Sequence, residues 1–327
     1  MNFYKEFTKE QVFACAIDAY KGISTHKDYS AEERRETMEE ILTELGKDYR
    51  SNKNKMFAII EATLTEVLPQ KVNEFIQFAE VKHFKWGETM RFKVKSKQIK
   101  AYAVALGATV KRNRMDHAYV TIEASNIQAK VYEEEMNLRI NAVNWVELVD
   151  ACIEAIADEI NALIYRTFLD VYSTLPSANK HEGAGVDEAV LNRHLQIVSS
   201  YGTPVIFGTR RGLAELPLDS NLITDQDKAD LRDRGFVGTY KGAKVYEIKN
   251  PVADVTNATF VYDDSYLFVI PTGKENIVKV GFEGDAIVRE KAGNDDWTVD
   301  FDMAQRLGVA VLQTHFMTIY KNTNFGK

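Results

Sequence analysis

The sequence predicts an α+β fold in which one domain is split by an insertion. Three observations point there. From Trp145 to Leu175, apolar residues recur at three- and four-residue steps, the pattern of one long amphipathic helix of roughly 45 Å at ~1.5 Å per residue. Strand-like alternation stands before this helix and again after residue 277. Between the helix and the final strands, residues 177–273 alternate helix and strand on their own, as an inserted domain would.

The first stretch, to about Phe78, reads helical. Val12, Phe13, Ala16, Ile17 and Tyr20 keep helical spacing and Gly22 stops them. Ser30 with Glu33 forms a capping box for a second helix, striped by Met38, Ile41, Leu42 and Leu45 and ended by Gly46. Phe57–Leu68 predicts a third helix, closed by Pro69. Narrow stripes on such charged helices fold on another surface more readily than on each other.

From Val81 to about Ala124 the pattern changes. Met90, Phe92 and Val94 alternate with Arg91, Lys93 and Lys95, giving one apolar and one cationic face. Gly107 and the polar run 111–116 mark turns, and Tyr119–Ile122 returns as a β-branched strand. Lys97, Lys100, Lys111, Arg112 and Arg114 extend the positive charge. The reading is a two-stranded arm. Because an isolated ribbon is marginal in water, it must lie on something.

A strand at Ile127–Tyr132 leads into Glu133, Glu134 and Glu135. Asn144 caps the long helix with Glu147 as capping partner. Val146, Val149, Ile153, Ile156, Ile160, Leu163, Ile164, Phe168 and Leu169 make its seam, and Glu147, Asp150, Glu154, Asp158 and Glu159 its exposed side; Pro176 stops it. The insert supplies helices at Asp187–Ser199 and from Thr224 to Gly235, with strands at Val205–Phe207, Lys244–Ile248, Phe260–Tyr262 and Leu267–Ile270. Four closing strands are read at Ile277–Phe282, Ala286–Glu290, Trp297–Phe301 and from Val309 to Tyr320.

Composition excludes several classes. With 327 residues and 45% hydrophobic content the chain can bury a large core, and a net charge of −7 does not suit a dedicated polyanion binder. Cys15 and Cys152 sit on separate apolar stripes and read as buried thiols. No secretory signal is read, because the first six residues gain charge before an apolar stretch forms, and the longest apolar run, near Tyr266–Ile270, is far too short to span a bilayer. The six histidines show no metal-ligand spacing, and Gly208-Thr209-Arg210-Arg211-Gly212 lacks the lysine of a phosphate loop and is better read as a helix start after a strand. A metal-dependent enzyme would build its site from Asp295, Asp296, Asp300 and Asp302 with His315, although strand and turn carboxylates look the same, and an enzyme of another kind would place it in the inserted domain. No cofactor and no metal ligands are assigned.

Two local patterns carry a resemblance. One runs from Asp227 to Gly235, then Gly238-Thr239-Tyr240-Lys241-Gly242-Ala243-Lys244-Val245 and Asn250-Pro251; the other is Trp297-Thr298-Val299-Asp300-Phe301-Asp302 followed by Gly308-Val309-Ala310-Val311. With the order of parts, they make the chain resemble the major capsid proteins of tailed bacteriophages, which share the Hong Kong 97 capsid fold. The resemblance implies an N-terminal arm (1–80), an extended β arm (81–125), a peripheral domain built on the long spine helix (126–180 and 274–327) and an axial domain (181–273). It implies a structural, non-enzymatic protein that self-assembles into pentamers and hexamers of an icosahedral shell around double-stranded DNA. Such a shell is built in the bacterial host cytoplasm with portal and scaffold or decoration proteins as partners and no membrane. A nanocompartment shell of the same fold, with protein cargo, is the nearest alternative.

Surface roles follow as expectations. Arg91, Phe92, Lys93, Lys95, Lys111, Arg112 and Arg114 would form the inter-subunit face of the β arm. Glu133, Glu134, Glu135, Glu147, Asp150, Glu154 and Asp158 would receive it, with opposite charge steering the encounter. Asp225, Asp227, Arg232, Tyr240 and Lys241 would approach the axis. Apolar area beneath the ribbon and the leading helices is expected to stay uncovered until sister copies cover it.

Overall fold

A computed structural model of the chain describes residues 8–25, 29–71, 78–95, 117–217, 225–273, 276–291 and 296–325. Its spine is the helix Trp145–Tyr172, opened by Asn144, whose side chain accepts the Glu147 N–H at 3.2 Å. The seam predicted from spacing is the buried face: Val149, Ile153, Ile156, Ile160, Ile164 and Phe168 are each almost fully covered.

The N-terminal half of this helix packs on a four-stranded sheet of order β1-β10-β11-β4. Here β1 is Ala79–Phe84, β4 Ser125–Glu134, β10 Val278–Lys291 and β11 Thr298–Val311. Only β1 runs parallel to its neighbour. The four closing strands read from sequence are corrected to two long ones, β10 and β11, plus β12 (Thr318–Asn322). The break expected near residue 284 is a shift of register inside β10, with Gly284 at φ 65°. A bulge keeps the strand continuous while bending it, so local pattern alone reads it as two pieces. Val81–Phe84, read with the arm, pair instead with β10.

Three helices, α1 (Lys9–Lys21), α2 (Ala31–Gly46) and α3 (Tyr49–Lys71), pack on one another and on the spine helix. This corrects the expectation that they wait for another surface: Ala16, Met38, Ile41, Met56 and Leu64 are fully buried within the chain. Three narrow stripes converge on one centre, so each supplies the surface the others lack. Buried Asp18 ties α1 to its exit loop by accepting the Thr25 N–H at 3.0 Å and hydroxyl at 2.8 Å. Helix α3 runs through Pro69 to Lys71, so the proline sits in its last turn rather than closing it at Leu68. Beyond Phe84, β1 no longer covers β10, and α3 takes over: Thr65 Oγ1 accepts the Ala286 N–H at 3.0 Å and Glu61 Oε1 the Val288 N–H at 2.9 Å.

The ring of Phe301 on β11 is the hub of this layer. Tyr49 and Trp145 stack at 5.5 Å, and Tyr49, Phe57 and Trp145 all meet Phe301 edge-on at 5.3–6.3 Å.

The C-terminal half of the spine helix meets a second sheet, of order β5-β12-β9-β6-β8-β7. Its strands are β5 (Lys180–Gly183), β6 (Thr203–Thr209), β7 (Thr239–Tyr240), β8 (Ala243–Ile248) and β9 (Tyr266–Thr272). Tyr165 and Phe168 pack on Phe268 at 5.6 and 5.3 Å. The final strand β12 lies inside this sheet, between β5 and β9. Phe260–Tyr262, expected as a strand, makes only a single bridge from Phe260 to Val252. The helix Glu188–Ser199, capped by Asp187, covers the other face with Leu191 and Leu195. Thr209 caps the short helix Arg210–Ala214, as the strand-to-helix reading of that segment required.

Two predictions follow from this packing. Phe301→Ala empties the hub and should cost about 3–5 kcal/mol in urea unfolding of the unassembled subunit. His194 is 2% exposed, and burial lowers its pKa from 6.5 to about 4. Between those values the unfolded chain binds the extra proton, so stability should fall as pH drops from about 6.5 towards 4. His194→Gln should flatten that slope in pH-dependent denaturation.

Candidate assembly surfaces

The ribbon pairs β2 (Met90–Lys95) with β3 (His117–Ile122) in the register Met90↔Ile122 through Lys95↔His117. Alternation sorts its faces. Arg91, Lys93 and Thr121 are exposed, with Tyr119 65% exposed on the same side as Lys93. Met90, Phe92 and Ile122 face the other way and are buried against Phe84, Ala310 and Leu312 of the same chain. Phe92 is fully buried, 5.7 Å from Phe84 and with Lys82 over its ring at 4.9 Å. The apolar underside of the ribbon root is thus covered by its own sheet, a correction to its assignment as free docking area. Lys97, Lys100, Lys111, Arg112 and Arg114 lie outside the described residues.

The acidic set divides. Asp150 pairs with Arg35 of α2, and Glu135 with Arg50 of α3 at 3.3 Å, so both hold the chain's own helices. Glu147 is drawn to the cap of the spine helix, its carboxylate accepting from the Asn144 amide at 3.4 Å. Glu154 and Asp158 stay exposed one turn apart, and partial desolvation against the helix surface, with the neighbouring Glu154 carboxylate, raises the pKa of Asp158. Glu133 and Glu134 sit at the end of the edge strand β4.

That end carries a patch the sequence reading missed. Tyr132, Met136, Ile140 and Trp297 are 63–74% exposed. Met136 and Ile140 are one helical turn apart, since the Ile140 N–H bonds the Met136 carbonyl at 3.0 Å. The Trp297 carbonyl accepts the Glu135 N–H at 2.9 Å, which joins the Trp297 backbone to the residue before Met136. Trp297 has φ 58°, a conformation that costs a bulky side chain about 1 kcal/mol or more. Asp296 holds the turn by accepting the Thr298 N–H at 3.2 Å and hydroxyl at 2.6 Å, bonds that lower its pKa. The available sequence signal was Trp297 next to a carboxylate turn.

At the far side of the inserted sheet, Asp225–Arg234 forms a helix, with Asp225 and Asp227 in its first turn. Arg232 is exposed and paired with Asp233. Lys241, at φ 45°, pairs with Glu188. Tyr240 is corrected from tip to core: it is 3% exposed, packed with Leu213, Phe236 and Val245.

The carboxylates considered for metal chemistry do not converge. Asp296 serves its turn, Asp300 pairs with Lys130 at 2.6 Å, and Asp302 lines a groove of about 230 Å³ on the outer sheet face with Trp86, Gln128, Arg289 and Arg306. His315 lies by Tyr201 and Phe316, and Asp295 falls outside the described residues. Among the described residues no group of three His, Cys, Asp or Glu side chains could hold a metal, and no helix is long and apolar enough to cross a membrane. Cys15 and Cys152 are free and buried, as read.

A family model described as "SPbeta prophage-derived putative capsid protein YonB" matches residues 16–321. The chain belongs to the YonB family of phage capsid proteins. YonB proteins are structural, not enzymes. No curated protein matches the chain significantly. Solved structures share its α+β fold, that of Hong Kong 97-type capsids. One described as "Gordonia phage Cozz" is 14% identical, covering 76% of this chain and 86% of that one, with a TM-score of 0.52. "Capsid of empty GTA particle computed with C5 symmetry" is 15% identical, covering 77% and 90%, with a TM-score of 0.52. "Microbacterium phage Oxtober96" is 14% identical, covering 76% and 90%, with a TM-score of 0.51. At these identities the likeness is one of fold.

Trp297→Gly should leave thermal stability within about 0.5–1 kcal/mol of the parent, since an exposed indole is lost while glycine relieves the positive φ. A calorimetric scan of the unassembled subunit checks this.

Proposed function

We propose that this chain is the major shell subunit of a phage capsid, self-assembling into pentamers and hexamers of an icosahedral shell around double-stranded DNA in the bacterial host cytoplasm. Membership of a capsid family and the fold support the class. The observation that carries the assembly mode is the ribbon: it leaves the sheet with its apolar side spent on its own chain and a face of Arg91, Lys93 and Tyr119 left for another. Residues 1–80 then serve as an N-terminal segment folded back on the peripheral domain, 81–125 as the β arm, 126–180 with 274–327 as the peripheral domain and 181–273 as the axial domain. Strand β1 belongs with the peripheral sheet and β12 with the axial one.

The arm of one subunit docks on the acid-rimmed end of β4 in the next. Glu133 and Glu134 steer the cations there, and Tyr132, Met136 and Trp297 supply apolar area for Tyr119. Glu154 and Asp158 add a second acidic stretch along the spine helix. Such head-to-tail contacts close into rings, and many weak ones per subunit make a strong shell. Asp225, Asp227, Arg232 and Lys241 face the ring axis. Portal and scaffold or decoration proteins are the expected further partners.

Electron microscopy with light scattering of the purified protein tests the reading: shells or tubes are expected, and a chain that stays monomeric across concentration and crowding conditions overturns it. Lys93→Glu with Lys95→Glu should slow assembly about tenfold or give aberrant particles at unchanged subunit stability. Parent-like particles at parent-like rates would remove the charge-steered arm.

A further inference from the structure

The ribbon leaves its sheet through a joint with two points of attachment. The first is a glycine pair. Gly281 of β10 and Gly308 of β11 stand opposite each other, and the first ribbon pair, Met90 and Ile122, sits over them. A Cβ on Gly281 would lie 2.6 Å from Met90 Sδ. One on Gly308 would lie 2.9 Å from Met90 Cε, 2.7 Å from Ile122 Cγ2 and 2.7 Å from the Glu123 carbonyl oxygen. Two facing glycines therefore open a socket in an otherwise filled sheet.

The second point lies two and three residues further along β10. Glu283, 6% exposed, accepts the Gly87 N–H at 2.9 Å and pairs with Arg306 at 3.3 Å. Gly87 belongs to the turn that carries the chain from β1 into β2, closed by the Glu88 N–H on the Lys85 carbonyl at 3.0 Å. Beside it Trp86 lies flat on Gly284, so close that a Cβ there would be 2.1–2.5 Å from indole atoms. The bulge that begins at Glu283 is what re-aims β10 at this place. Gln305 Nε2 braces it by donating to the Gly284 carbonyl at 3.3 Å.

One attachment would be a pivot; two, side by side on one strand, define a direction. We propose that Gly281, Gly308 and Glu283 are positioning residues that fix the angle at which the ribbon leaves the free subunit, so that the arm is aimed before it meets a second copy of the chain. The gain is preorganisation: an arm already held at its docking angle loses less freedom on association. The proposal rests on the reading of the ribbon as an inter-subunit arm.

The test reads distances on the full chain with spin labels at Tyr119→Cys and Gln128→Cys, the native thiols being buried, and reads assembly on the unlabelled chain with Tyr119 and Gln128 in place. In the parent the label-to-label distance distribution should be narrow. Glu283→Ala and Gly308→Ala should each widen it at least twofold and slow assembly about tenfold, while Glu283→Gln, which keeps an oxygen for the Gly87 N–H, should stay within about threefold of the parent rate. Glu283→Ala carries the test alone if Gly308→Ala does not fold. Narrow distributions in the variants would overturn the joint. Broad distributions with parent-like assembly would instead overturn the arm reading on which it rests.

Discussion

Everything in this molecule hangs on the burial of one helix along its whole length. The seam of Trp145–Tyr172 serves two sheets in succession, the first through the Phe301 cluster and the second through Tyr165 and Phe168. A helix that ended two turns earlier would take Phe168 from beneath the inserted sheet. Because the same rod is the core of both layers, neither can tilt against the other without opening apolar surface. On the proposed reading that stiffness suits a shell, since an angular error at one subunit would be multiplied around a ring.

The N-terminal helices extend the same logic. Three weak stripes, each too narrow to fold alone, are gathered on the spine helix and on β10. Their charged residues then work as clamps: Arg35 on Asp150, Arg50 on Glu135, and Lys53 on Glu290 at 3.1 Å. Exposed pairs of this kind contribute little each, and the apolar burial dominates. Acid counted as a docking surface in the sequence is partly spent inside the subunit, which moves the remaining acid toward the end of β4 and the outer flank of the spine.

What could be read from sequence was whatever is local. The spine helix, its Asn144 cap, the box at Ser30 and the alternation of Met90–Lys95 each depend on residues within a turn or two of one another, and each stands as expected. The errors lie where distant segments decide. Nothing near Val12 or Met38 says that three stripes will find each other. Gly284 marks a bulge only once β11 is alongside, and Tyr240 looks like a turn residue until Phe236 and Val245 close over it. The exposed patch at Trp297 was hidden for a related reason: a tryptophan between polar residues reads as a strand start, and its outward, left-handed conformation is visible only in three dimensions.

The place of β12 has a consequence for biosynthesis. This strand fills the gap between β5 and β9, so the inserted sheet stays split while the ribosome is still translating the preceding residues. A nascent or prematurely released polypeptide lacking residues 318–322 exposes two open edges rather than a finished surface. Only molecules translated through that point complete the inserted sheet, so on the proposed reading a truncated chain would be screened out before it entered a shell.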